Sequence, residues 1–200
     1  MLMSDRNMFP KEMIMGRSQV DAAYTYALHY HAGQFRKYVD KVDYITHPVA
    51  VATMVSEWID NDAYLDANSE ILSAALLHDI VEDTDRTIEM IEHKFGATVA
   101  KYVWFLTDTP KYVGNRISRK RLDHARLAQA PDVVKAIKFF DNVHNMRSIA
   151  QHDPKFFEVY LIEKNMLARE VGYSEVKVCG RRLPLANTWP ALRIYNRKTY

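Results

Sequence analysis

The sequence predicts an all-α fold, and three observations carry that reading. Glycine and proline are sparse, 6 and 7 in 200 residues, too few to punctuate a β architecture. Apolar residues recur mostly at three- and four-residue spacing, the period of a helix face rather than of a strand. Hydrophobic residues make up 48% of the chain, enough for one sizeable core at this length.

Ser18 followed by Asp21 resembles an acidic capping box, and Val20, Ala23, Tyr24, Ala27 and Leu28 mark the apolar face of a first helix ending near Gly33. Residues 34–46 are polar and charged without a clean period, which predicts a loop. Pro48 suits the first turn of a second helix reaching about Trp58, so His47 sits at a helix N-terminus. Residues 66–69 offer caps for a third helix, whose Ile71, Ala74, Ala75, Leu76 and Leu77 predict deep burial as it delivers His78 and Asp79. Asp85 or Thr87 opens a short amphipathic helix closed by Gly96, and Val99, Tyr102, Val103 and Leu106 mark another up to Thr107. Residues 109–116 read as a connector. Helices over 118–128, 131–150 and 154–169 follow, the last capped by Asp153 with Pro154 in its first turn. From Val171 the pattern changes: Val176 and Val178 alternate with polar residues, and Gly180, Pro184 and Pro190 exclude a helix. The expected organisation is one domain over residues 1–170 and a short irregular C-terminal extension, 171–200, packed on it.

A net charge of +2 is too mild to announce a nucleic-acid partner, and no run approaches the roughly 18 apolar residues of a membrane-spanning helix. Residues 1–16 mix charges among their apolar residues and lack a signal-peptide core. The single Cys179 can form no intramolecular disulfide and reads as a packed thiol. A cytoplasmic location is expected, and the oligomeric state is left open, a homo-oligomer included.

A His-Asp pair alone carries little, since the chain has two, and Asp153 of the second is better explained as a helix cap. The first pair lies in HDIVEDTD, where Asp79, Glu82, Asp83 and Asp85 follow an apolar run. At helical spacing His78 stands over Glu82 and Asp79 over Asp83. Such a cluster at the end of a buried segment is costly unless a cation neutralises it; the competing reading is an acidic helix end in solvent. Asp141, in the apolar run from Ala136 to Phe140 and beyond, poses the same problem, and His47 can complete a His, His-Asp, Asp set. Imidazole and carboxylate donors without thiolate suit Mn²⁺, Fe²⁺ or Zn²⁺ with open positions for water. Glu82 or Asp83 can then orient that water or shuttle its proton.

At these residues the chain resembles the hydrolase domain of the RelA/SpoT family, specifically the stand-alone small alarmone hydrolases. The resemblance runs from about Val20 to Ile149 through HAGQFRK, YITHPVAVA, AALLHDIVEDTD, FGATVAKYV and IKFFDNVHNMR, in order. It implies an HD-domain helical bundle that removes the 3′-pyrophosphate of (p)ppGpp, giving GDP or GTP. His47, His78, Asp79 and Asp141 match the family's metal ligands, normally for one Mn²⁺, and Glu82 and Asp83 match its catalytic acids. Arg36 and Lys37 match the segment that holds the guanine and ribose end, and Asn145 a nucleotide contact. With Tyr44, these are the candidate substrate-binding residues. Asp43-Tyr44-Ile45 and Phe139-Phe140-Asp141 depart from the family's Pro-Tyr-Ile and Leu-Ala-Asp, which bears on the shape of the base pocket and not on the ligands.

Lys111, Arg116, Arg119, Lys120 and Arg121 form either a site for the 5′-phosphates or a solvated basic face. His31 is expected to pack or hydrogen-bond rather than to bind metal, and His144 reads either as a structural residue or, through helical proximity to Asp141, as one near substrate. Alternatives are the same centre acting on ppApp, NADPH or another nucleotide, and, from another class, a regulator or antitoxin that binds alarmone without turnover.

Overall fold

A computed structural model describes residues 18–37, 41–59 and 65–189. It is a helical bundle: α1 (Ser18–Tyr30), α2 (Thr46–Trp58), α3 (Leu65–Leu76), α4 (Ile80–Asp83), α5 (Ile88–Phe95), α6 (Ala97–Leu106), α7 (Arg116–Ala128), α8 (Asp132–His152) and α9 (Pro154–Glu170). Helix α3 lies at its centre, packed against α1, α2, α6 and α8, which is why every residue from Ile71 to Ile80 is buried.

The boundaries follow local chemistry. Thr87 accepts from the Met90 N–H and caps α5, and Asp153 accepts from the Phe156 N–H and caps α9, as the sequence predicts. Gly96, at φ +88°, makes the corner between α5 and α6. Helix α7 begins two residues earlier than expected because Asn115 accepts from the Ser118 N–H. Helix α3 begins at Leu65, so Asn68 and Ser69 lie within its first turns rather than capping it. The Ser18 side chain, a predicted cap, lies outside the described residues, as do residues 190–200 of the extension. Within the loop before α2, Phe35 and Asp43 form a single antiparallel bridge.

One departure from the expected helices shapes the site. Helix α3 does not run through His78 and Asp79; it stops at Leu76, and the chain makes a tight turn before α4. Consecutive residues of an unbroken helix point about 100° apart, so His78 and Asp79 would diverge. The turn lets both aim at one point.

After α9 the chain folds back. Against the expectation that no helix follows Val171, one short helix, α10 (Leu185–Thr188), forms there, with Pro184 just before it where no backbone N–H is needed. Strands β1 (Lys177–Val178) and β2 (Arg181–Arg182) pair antiparallel across Cys179 and Gly180, both with positive φ, the two-residue turn that matches strand twist. Cys179 therefore stands exposed at a hairpin tip, not packed as expected, because the turn geometry takes precedence over its apolar character. Behind the hairpin, Tyr173 and Trp189 are buried against Phe139 of α8, with the Phe139 and Trp189 rings stacked at 5.2 Å. Trp189→Ala is expected to destabilise the protein by about 3 kcal/mol, the usual cost of removing a buried aromatic, measured by urea unfolding. A loss below about 1 kcal/mol would show that this segment contributes little to the core.

Candidate functional site

The site forms where α2, the α3–α4 turn and α8 meet. His47 in the first turn of α2, His78 and Asp79 offer donor atoms within 4.8 Å of one another. Asp141 of α8 brings its Oδ1 to 3.1 Å from His47 Nε2 and 3.8 Å from His78 Nε2. Asp79 Oδ2 lies 2.9 Å from His78 Nε2 and 3.5 Å from His47 Nε2. All four residues are buried.

The hydrogen bonds orient these donors inward. His78 Nδ1 lies 2.8 Å from the Ala75 carbonyl, which can only accept, so Nδ1 carries the proton and Nε2 faces the carboxylates. His78 Nε2 makes no hydrogen bond although it is fully buried. Burial alone would lower the pKa of His78, but the adjacent Asp79 carboxylate reverses this and raises it to about 9. The pair thus demands positive charge at its centre. Burial works against ionisation of both carboxyls, yet His78 beside Asp79 and Lys138 beside Asp141 hold them well below the usual carboxylate range. Two imidazoles and two ionised carboxylates around an orphaned nitrogen fit a divalent cation, which takes the proton's place.

A further ring of contacts holds the donors. Tyr44 donates to Asp79 Oδ2 at 2.6 Å, and Asn145 donates to Asp141 Oδ1 at 2.7 Å while accepting from Arg36 at 2.8 Å. His47 Nδ1 meets His144 Nδ1 at 2.8 Å. Burial, followed by the neighbouring His47, lowers the His144 pKa to about 4, so His144 stays neutral in this pair. His144→Phe is expected to weaken divalent-metal affinity about 10- to 100-fold, the usual cost of losing a partner that orients a ligand imidazole. Unchanged affinity by calorimetric titration would show that His47 needs no such support.

From this centre a cleft of about 770 Å³ opens toward α7 and α9. Its two ends differ in sign. Glu82 and Asp83 of α4 stand at the acidic end, their carboxyls pushed up by burial, Glu82 to about 8 with the Asp108 charge adding to it and Asp83 with the Asp79 charge adding to it. The Asp108 N–H donates to Glu82 and fixes it. Toward α7 the lining turns basic with Lys111, Arg116 and Arg119, Lys120 stands between the two beside Asp108, and Arg121 does not line the cleft. Arg116 is held by Glu163 through two bonds of 2.7 Å, and Lys120 by Asp108.

The structure therefore brings together His47, His78, Asp79, Asp141, Glu82, Asp83, Tyr44 and Asn145. Arg36 joins through Asn145 and lies 5.7 Å from the Tyr44 ring centroid, facing an adjoining groove of about 320 Å³ that His144 also lines. Lys37 is an exposed residue near Phe156 and does not line the cleft, because the bend after Arg36 turns it outward. His144 contacts His47 and does not line the cleft. His31 is buried and bonds Gln34, which donates to the Asp83 carbonyl, the hydrogen-bonding role expected of it.

Sequence reasoning missed Lys138, Asp108, Tyr160 and Lys164. Lys138 had a signal: it interrupts the same apolar run as Asp141, three residues earlier, and meets Asp141 Oδ2 at 3.1 Å. Asp108, Tyr160 and Lys164 carry no local pattern and reach the cleft only through tertiary packing.

A family model described as an HD domain matches residues 23–167. The chain belongs to the HD domain family. This HD domain is 32% identical over 139 residues to a guanosine-3′,5′-bis(diphosphate) 3′-pyrophosphohydrolase of Danio rerio, covering 70% of the chain and 73% of that protein. A protein of the same name from Haemophilus influenzae is 37% identical over 128 residues, 62% of the chain, but the chain spans only 18% of its length. Among solved structures, one described as a metazoan orthologue of SpoT that hydrolyses ppGpp superposes with a TM-score of 0.69 at 25% identity, covering 91% of this chain and 96% of that one. No helix among the described residues is long and apolar enough to cross a membrane.

Proposed function

We propose that this HD domain hydrolyses the 3′-pyrophosphate of (p)ppGpp, releasing pyrophosphate and leaving GDP or GTP. The observation that carries the reading is the His47, His78, Asp79 and Asp141 cluster at the acidic end of a cleft whose other end is basic. The named relatives support the substrate class. Residues 1–170 constitute the catalytic unit, with 171–200 an extension packed on it, and the cytoplasm is the compartment where such a nucleotide is met.

The four clustered residues would hold one Mn²⁺, which supplies a lowered pKa for water and positive charge against the phosphates. Glu82 and Asp83 hold the attacking water and take its proton as its oxygen bonds to the 3′-linked phosphorus. The bond from phosphorus to the ribose 3′ oxygen breaks, and that oxygen receives a proton. Arg36, fixed by Asn145 and Tyr44, presents a planar cation to base or ribose, while the basic wall faces the phosphates. Lys37 contributes from outside the cleft.

The test is incubation of metal-loaded protein with ppGpp, ppApp, NADPH and dGTP, with a chelated control, reading products by chromatography. Metal-dependent pyrophosphate release from ppGpp is expected. Cleavage of another nucleotide alone would keep the chemistry and reject the alarmone, and no cleavage would favour a binding role.

A further inference from the structure

Lys164 of α9 is buried along its stem, and its ammonium, which reaches the cleft, makes neither a hydrogen bond nor an ion pair with any described residue. Its one recorded partner is the Tyr160 ring, 4.9 Å away. Ammonium groups carry three donors and are rarely buried without an acceptor, so this one stands out. Its neighbours deepen the deficit. Lys120 and Lys138 line the same part of the cleft, and the nearby carboxylates are already engaged: Asp108 by Lys120 and Lys138, Glu163 by Arg116. Burial and these two lysines lower the pKa of Lys164 to about 8, a cost that an arriving anion offsets.

Only the cleft can admit that anion. Lys164 also lines a second, small cavity of about 20 Å³, suited to roughly one water and too small for a phosphate group. In the cleft Lys164 shares the wall with Asp141, placing an unpartnered ammonium in the same chamber as the metal ligands.

The geometry points to a pyrophosphate pocket, formed by Lys164 with Lys120, Lys138 and the Tyr160 ring, that receives the phosphate chain leaving the metal centre. This rests on the hydrolytic reading above and assigns the released pyrophosphate its own binding site. Lys164 is the cation without an ion-pair partner among the described residues, and Lys120 and Lys138, though each is paired to a carboxylate, add positive charge beside it. That setting suits a polyanion such as pyrophosphate better than a single phosphate. As the ribose bond breaks, its electron pair and a proton go to the 3′ oxygen. The pyrophosphate keeps the oxygen of the attacking water and so carries one more ionisable oxygen than the bound ester, which lets the pocket favour the separated product.

The test uses inorganic pyrophosphate as probe on the full-length, metal-loaded protein, with metal in fixed excess and metal content measured for every variant. Affinity is read by calorimetry and by the shift in thermal midpoint, with orthophosphate for comparison. Lys164→Met should keep its metal and fold, with an unchanged or higher midpoint because a buried charge is gone. It should bind pyrophosphate about 10- to 100-fold more weakly, the worth of one charge-assisted hydrogen bond. Lys164→Gln, which keeps a polar end, should lose affinity similarly and serves if the methionine variant does not fold. Wild-type pyrophosphate affinity in either folded, metal-loaded variant overturns the pocket, as does equal binding of orthophosphate. Failure of the hydrolytic reading looks different: ppGpp stays intact whatever the pyrophosphate titration shows.

Discussion

Asp79→Ala is expected to lose the divalent metal and, with it, pyrophosphate release by at least about 10⁴-fold, since lowering the pKa of water is the largest single contribution available to this site. Asp79 has no substitute. Its Oδ2 faces both His47 and His78, and Tyr44 is committed to it through a 2.6 Å hydrogen bond. Removing it leaves two buried imidazoles facing a single carboxylate and strands the Tyr44 hydroxyl. Metal analysis and turnover measured on the same sample decide the matter. A variant that keeps its metal and its rate would remove Asp79 from the centre.

Glu82→Gln should behave in the opposite way toward metal. Its carboxylate lies outside the His and Asp cluster, on the cleft wall, held by the Asp108 N–H. Metal content should stay at the wild-type level, while kcat falls by about 10²- to 10⁴-fold, the range for removing a positioned acid or base. The amide keeps the shape and the acceptor oxygen but cannot take a proton, so KM should change little. Loss of metal in this variant would make Glu82 a ligand, and full turnover would pass its role to Asp83.

Much of this was legible in the sequence because the residues concerned break a local pattern. Asp141 within an apolar helix and the acids after an apolar run are expensive unless paired, and that expense is visible without coordinates. The caps at Thr87 and Asp153 and the corner at Gly96 are equally local. The turn at residues 77–79 was not legible: nothing in Leu77-His78-Asp79 forbids a helix, and the chain leaves it because the tertiary site requires both side chains to converge. Adjacency to Arg36 does not give Lys37 the same direction, and Lys37 is exposed near Phe156 without lining the cleft. Lys164 and Asp108 come from segments distant in sequence, so only packing reveals that they share the cleft with Asp141. Cys179 looked apolar enough to bury, but a two-residue hairpin turn places its central residues outward.

In the proposed function, four side chains from α2, the α3–α4 turn and α8 create a hydrolytic centre that works through one divalent ion. Titration of chelator-stripped protein with Mn²⁺, reading bound metal and pyrophosphate release from ppGpp at each step, tests it most directly. Both are expected to rise together and level off at one equivalent per chain. Pyrophosphate release from metal-free protein, or one bound equivalent with ppGpp left intact, would contradict it.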